Sequence, residues 1–211
     1  MIRASFAVGE YYHIFNRGVE KRNIFLDQRD FDRFLESMLV FNTTEPIGGI
    51  YAHSFMKQVS QKPAKRLIHI ICYCLNPNHF HMILEEVADG GVSEFLRRLG
   101  GYTKYFNHKY KRNGVLLQGR CKIVHIETNE QLLHTSAYVN FNDRAHGLRH
   151  TMSKSSWDEY IGKTTDALCE KKIILDQFAS KAEYRDFTEN SLKNILERKE
   201  KHGELEKILL E

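Results

Sequence analysis

LIHIICYCL (67–75), NPN (76–78) and HFHMILEEV (79–87) together decide the fold. The outer segments are short apolar runs rich in β-branched and aromatic residues, which is the signature of buried strands. Asn and Pro favour turn dihedrals, so the three residues between them form a tight reversal. The stretch is therefore expected to be an antiparallel hairpin. Its returning strand opens with His79 and His81, and residues two apart on a strand point to the same face. Phe80, between them, points the other way, into a core.

On the N-terminal side, EYYHIFNR (10–17) is short and aromatic and reads as a strand. DFDRFLESMLVF (30–41) places Phe31, Phe34, Leu35, Met38 and Leu39 at helical spacing, with Asp27 or Asp30 as the N-cap. Thr43–Gly49 is a loop, Ile50–Val59 has weak strand character, and Lys62–Arg66 is a polar turn. On the C-terminal side, Gly90 and Gly91 break the chain and Ser93 is expected to cap a helix running to Leu99. Gly100 and Gly101 kink that helix before Tyr102–Tyr110 continues it, and Asn113-Gly114 ends it. CKIVHIE (121–127) alternates as a strand does. In TNEQ (128–131) Thr128 and Gln131 match a capping box, which opens a helix over Asn129–Phe141. Asn142–Gly147 ends it.

Strand, helix, hairpin, helix, strand, helix is the order of an α+β domain: an antiparallel sheet with helices on one or both faces. Past Ser153 the chain turns charged and helix-prone. The 211 residues thus divide into a domain over 1–150 and a helical C-terminal extension over 151–211, which packs on the core or on a partner. Apolar residues at 42% and charged residues at 27% are ordinary for a globular protein. No apolar run reaches the ~20 residues of a membrane span. Met1–Tyr12 lacks the apolar stretch of a secretory signal. Four cysteines are too few for a disulfide scaffold. Reduced thiols and a cytoplasmic location are the expectation.

The net charge of +4 hides a polarised distribution. From Phe95 to Ile126 there is no acidic residue. Arg97, Arg98, Lys104, Lys109, Lys111, Arg112, Arg120 and Lys122 give that stretch +8, leaving −4 for the remainder. Tyr102, Tyr105, Phe106 and Tyr110 are interleaved. Cations release counterions from phosphates and aromatic faces stack on unpaired bases, so the segment reads as a nucleic-acid surface. The competing reading is a solvated helix face whose aromatics point into the core.

Two imidazoles side by side, as His79 and His81 would be, suit a shared divalent metal ion, or are simply an exposed pair. Glu85 and Glu86 either add an oxygen ligand or face solvent. On the next helix His134, Tyr138 and Asn142 follow at four-residue intervals, so neighbours share a face. Tyr138 brings a phenolic oxygen and Asn142 an amide oxygen. Equally, Tyr138 suits a core aromatic and Asn142 a helix C-terminus.

Four blocks in this order, YYHIFNRG (11–18), CYCLNPNHFHMILEE (72–86), GGYTKYFNHKYKRNGVLLQGRCK (100–122) and SAYVNFNDRAHG (136–147), resemble the single-strand-DNA transposases that carry a His-hydrophobic-His motif and one catalytic tyrosine. Within them, the REP-associated tyrosine transposases are the nearest branch. The resemblance spans roughly Glu10–Leu148, and SSWDEY (155–160) is similar to a Trp-containing stretch of that branch. It implies a ferredoxin-like antiparallel sheet, metal ligation by His79, His81 and Asn142, and Tyr138 as nucleophile. It implies Mg²⁺ or Mn²⁺, cleavage through a 5′-phosphotyrosine, and a partner that is single-stranded DNA containing a hairpin in that family's manner. Tyr102, Tyr105 and Tyr110 are the rival nucleophiles, better suited to gripping DNA. Arg17, Lys104, Lys109, Lys111, Arg112, Arg120 and Lys122 are the expected DNA contacts. His134, one turn before Tyr138, is a candidate base or a structural histidine. Two other readings stand beside the enzyme. One is a non-catalytic, domesticated module binding hairpin DNA or RNA. The other is a small-molecule phosphodiesterase, which would need a second His-containing motif that this chain lacks. Monomer and homodimer both remain open.

Overall fold

The hairpin forms as expected and everything else is arranged on it. β2 (Ile68–Asn76) and β3 (His79–Glu86) pair antiparallel, with Asn76 opposite His79 and Cys74 opposite His81. The turn is anchored from outside, because Pro77 O accepts from the backbone N–H of Ile24 and Phe25. β1 (Tyr11–Arg17) lies along the other edge of β3, setting Phe15 opposite His81 and Arg17 opposite His79. β4 (Lys122–Ile126) pairs with β1, and β5 (Lys154–Ser155) with β2. The sheet order is β4-β1-β3-β2-β5, all antiparallel. Its first four strands, with the helices between them, follow the βαββαβ ferredoxin-like path. The computed structural model describes residues 6–48, 65–148, 152–164 and 168–202, with side chains to 197. The weak strand expected over Ile50–Val59 lies outside the described residues, as does the chain after 202.

Strand alternation divides the core in two. One face carries Tyr12, Ile14, Phe80, Met82 and Leu84 against α1 (Gln28–Val40), α2 (Gly91–Leu99) and α3 (Gly101–Lys109). The other carries Cys72, Cys74, Ile83 and Ile126 against α4 (Asn129–Asn140) and the C-terminal segment. Helices therefore cover both faces, and the central strands are buried along nearly their whole length. α5 (Asn142–Ala145) follows α4 within the first 150 residues, and the extension runs through α6 (Trp157–Tyr160), α7 (Lys172–Leu175) and α8 (Lys181–His202). Trp157, Tyr160, Ile174 and Tyr184 fill the second core. All four cysteines are free thiols. Among the described residues no helix is long and apolar enough to cross a membrane.

Several local expectations shift. Asp27, not Asp30, caps α1, and the two form a reciprocal capping box. Ser93 does not cap α2. The buried Glu86 carboxylate does so from β3, accepting from Gly90 N at 2.9 Å and Val92 N at 3.1 Å. A side chain cannot replace hydrogen at Gly91, since a Cβ there would lie 2.2 Å from Leu67 O. The α2–α3 break falls at Gly100, and α3 ends at Lys109, before Asn113-Gly114. Thr128 caps α4 through Gln131 N at 3.1 Å, while the Gln131 side chain reaches past it to Glu127 N at 2.9 Å. The extension's helix is interrupted between α7 and α8.

The basic segment is corrected most. Its aromatics point inward. Tyr102 and Phe106 are buried, and the Tyr102 hydroxyl donates to Ile24 O at 2.6 Å. Tyr110 donates to Asp30 Oδ2 at 2.8 Å. Lys109, expected as a DNA contact, turns its ammonium onto Asp27 at 2.8 Å and the fully buried Asp30 at 2.7 Å. That ion pair is the first cause holding the Asp27 carboxyl below the ordinary range. Arg97 and Arg98 both pair with Glu94, one residue outside the acid-free stretch. Among the described residues Lys104, Lys111, Arg112, Arg120 and Lys122 form no ion pair. Replacing Lys109 by Met is expected to strand the Asp30 carboxylate and cost about 2 kcal/mol in urea unfolding, less than a fully buried pair because Lys109 is partly exposed. An unchanged urea midpoint would show that the Lys109–Asp30 pair adds little to folding.

Candidate functional site

The site lies on the second face of the sheet, where β3 begins. Strand register puts His13, Phe15 and Arg17 of β1 on the same face as His79 and His81, with Lys122 beside Phe15 on β4. Phe15, Asn16, Arg17, His79, His81, Gln118 and Lys122 line a pocket of about 100 Å³. The two histidine rings are perpendicular, with centroids 5.4 Å apart.

His79 Nδ1 lies 2.6 Å from Asn78 Oδ1, and with the hydrogen on Nδ1 the Nε2 atom keeps its lone pair. Nε2 is 3.0 Å from Asn76 Nδ2, which donates to it, and 2.9 Å from Asn142 Oδ1. Asn76 Nδ2 also donates to Asn142 Oδ1 at 2.7 Å. Two acceptors, the imidazole nitrogen and the amide oxygen, thus converge in a buried corner. Asn142 Nδ2 is buried without a hydrogen-bond partner, while its Oδ1 meets both His79 and Asn76.

His81 is held from the other side. Its Nδ1 is 2.9 Å from His13 Nε2, and their rings stack at 5.1 Å. With His81 Nδ1 as the donor, His81 Nε2 is left as an acceptor. Burial pushes the His13 imidazole down to about 4. His81 is also well below the ordinary histidine range, first through burial and then through the neighbouring His13, His79 and His146. Neutral imidazoles are what metal ligation requires. The Tyr138 ring meets His81 edge-on at 5.6 Å and His13 at 6.2 Å.

The donor set fits a hard-to-borderline divalent ion. It comprises two neutral imidazoles and an amide oxygen, with His79 and Asn142 donors 2.9 Å apart. Adjacent donors around an octahedral ion with bonds of about 2.1 Å lie about 3.0 Å apart. Neither glutamate of β3 joins them. Glu85 pairs with His69 at 2.9 Å and Glu86 caps α2.

Of the expected site residues, His79, His81, Tyr138 and Asn142 come together in one chain, with Arg17 and Lys122 at the pocket. Asn142 does not continue the Tyr138 helix. α4 ends at Asn140, Phe141 leaves helical dihedrals at φ −110 and ψ 19, and α5 restarts at Asn142. That corner turns the amide toward His79, and Arg144 stacks over Phe141 at 3.8 Å to close it. His134 lies against Phe187 of α8, 5.2 Å between centroids. Lys104 lines a different pocket, of about 340 Å³, with Arg33, Arg97 and Arg98. The rivals Tyr102, Tyr105 and Tyr110 belong to the core on the opposite face of the sheet. Two residues went unrecognised in the sequence. Asn76 reads there as a turn residue and His13 as one aromatic among several. The strand alternation that places His13 beside Phe15 and Arg17 was the available signal for the second.

No family model matches this chain, and no curated protein does. A solved structure, described as a REP-associated tyrosine transposase bound to a REP hairpin, is similar with a TM-score of 0.53 and 15% identity, covering 81% of this chain and 96% of that one. At that identity the likeness is one of fold.

Asn142→Ala is expected to weaken Mn²⁺ binding, measured by titration calorimetry, about tenfold or more, and Asn76→Ala by a similar factor through loss of orientation. Glu85→Gln should bind as wild type does. Unchanged affinity in Asn142→Ala would remove Asn142 from the candidate ligands.

Proposed function

We propose that this protein is a metal-dependent single-strand DNA endonuclease and strand transferase that recognises hairpin-containing DNA. The observation that carries the reading is the convergence of Tyr138 on His81 at 5.6 Å with Asn142 on His79 at 2.9 Å, within one chain. The similar fold of a hairpin-bound transposase supports it independently.

His79, His81 and Asn142 would hold Mg²⁺ or Mn²⁺, which when bound supplies charge stabilisation at a scissile phosphate. The chain's own groups do the rest. Tyr138 Oη attacks phosphorus in line and loses its proton as the new P–O bond forms. The bond from phosphorus to the 3′ oxygen breaks, and that oxygen leaves as a 3′-OH after taking up a proton. The DNA left on Tyr138 is a 5′-phosphotyrosine. Because one ester replaces another, a second 3′-OH can reverse the attack and join strands without an outside energy source. Arg17 and Lys122 flank the pocket where they can hold backbone phosphates. Arg120, exposed just before β4, extends the same cationic edge.

Purified protein incubated with labelled hairpin DNA and Mn²⁺ should give a covalent adduct that Tyr138→Phe abolishes. Equal cleavage by both would refute the assignment of Tyr138. Tight hairpin binding with no adduct under any metal would favour the non-catalytic module. Lys122→Gln should lower DNA affinity and reduce the salt slope of binding by about one. An unchanged slope would remove Lys122 from the interface.

A further inference from the structure

The C-terminal extension has no part in the chemistry above, yet a buried chain of hydrogen bonds ties it to the helix that carries Tyr138. Tyr73 N on β2 donates to Ser156 Oγ at 2.9 Å, and Ser156 Oγ donates to Asn140 Oδ1 at 2.6 Å. Asn140 Nδ2 donates to the Tyr184 hydroxyl at 2.9 Å. Ser136 gives its own hydrogen to Leu133 O at 2.8 Å, so at the 3.3 Å contact between Ser136 and Tyr184 the phenol is the donor. Ser136, Asn140, Ser156 and Tyr184 are all fully buried. A satisfied buried network of this kind specifies one arrangement in a way that apolar packing alone does not.

Its placement on α4 matters. Ser136 and Asn140 are one turn apart and share a face, while Tyr138, two residues from each, lies about 160° away around the axis. The extension grips the helix by one face and the tyrosine projects from the other, toward His81. Apolar contacts would tolerate a small rotation of α4. Two hydrogen bonds to a single phenol would not, and rotation is what would swing Tyr138 off the histidine pair.

We propose that Tyr184 is a positioning residue for the reaction: by accepting from Asn140 and donating to Ser136, its phenol fixes the rotation of α4 and so the aim of Tyr138. This rests on Tyr138 being the nucleophile. Tyr184→Phe keeps the ring and its stacking on Tyr160, 5.1 Å between centroids, and deletes both hydrogen bonds. Tyr160→Phe is the matched control, because that equally buried phenol donates to Ile71 O at 2.9 Å on β2 and not to α4.

Three readouts are compared: the adduct rate at saturating hairpin DNA, the DNA concentration for half that rate, and amide hydrogen exchange measured by mass spectrometry. Tyr184→Phe, which removes both hydrogen bonds of the phenol, is expected to slow adduct formation about tenfold or more, with half-saturation unchanged within about twofold. Exchange across residues 133–142 should accelerate while β2 and β3 stay protected. Tyr160→Phe should leave the adduct rate and α4 exchange as in wild type. If the two variants behave alike, or if α4 exchange in Tyr184→Phe matches wild type, the proposal is overturned. Ser136→Ala, which removes the acceptor from the other side, is expected to give the same split and decides the matter should Tyr184→Phe fail to fold. Exchange does not depend on activity. A wild-type protein that forms no adduct would sink the nucleophile reading, and with it the catalytic role of Tyr184, while exchange would still show whether Tyr184 holds α4.

Discussion

His79 Nε2 and Asn142 Oδ1 face each other at 2.9 Å in a buried corner, and both are acceptors once the Nδ1 hydrogen of His79 is engaged by Asn78. Lone pairs brought that close repel unless something positive stands between or beside them. Asn76 supplies part of the answer with one amide group donating to both. A divalent cation held there, as proposed, would supply the rest. Much of the architecture serves this contact. The hairpin turn brings Asn76, Asn78 and His79 together, the break at Phe141 redirects the chain after α4, and the first turn of α5 delivers Asn142.

Around that corner the molecule divides its labour between the two faces of one sheet. The face packed by α1, α2 and α3 is a stabilising core, and it absorbs residues that look functional in the sequence: Tyr102, Tyr105, Tyr110 and Lys109 all close on Ile24, Asp27 and Asp30. The other face carries the histidines and Tyr138. Cations without an ion pair near this site, Arg120 and Lys122, belong to the end of the basic segment that enters β4. The acid-free stretch is thus part internal counter-charge and part outward-facing surface.

The element order, the hairpin and the pairing of His79 with His81 were legible from alternation and turn chemistry, since these are local properties. The caps of α1 by Asp27 and of α4 by Thr128 were legible, whereas the Gln131 side chain reaches Glu127 N and not Thr128 N, and Glu86 from β3, not Ser93, caps α2. The fate of the aromatic-basic segment was not legible. Whether Lys109 meets solvent or Asp30 depends on how α1 and α3 pack, and the two lie far apart in sequence. Asn76 and His13 were hidden for the same reason. Each acts across strands, and its partner is set by register that no single strand encodes. The extension read as a charged helix of unassigned role. Its buried polar residues, Ser156 and Tyr184, acquire meaning only once α4 is in place beside them.

The central claim is that one chain assembles a complete site from His79, His81, Asn142 and Tyr138. A crystal structure of the protein grown with Mn²⁺ and measured at the manganese absorption edge tests it most directly. The account predicts one anomalous peak within about 2.3 Å of His79 Nε2, His81 Nε2 and Asn142 Oδ1, with the Tyr138 hydroxyl of the same chain facing it. A peak lacking Asn142, or a Tyr138 contributed by a second copy, would contradict it.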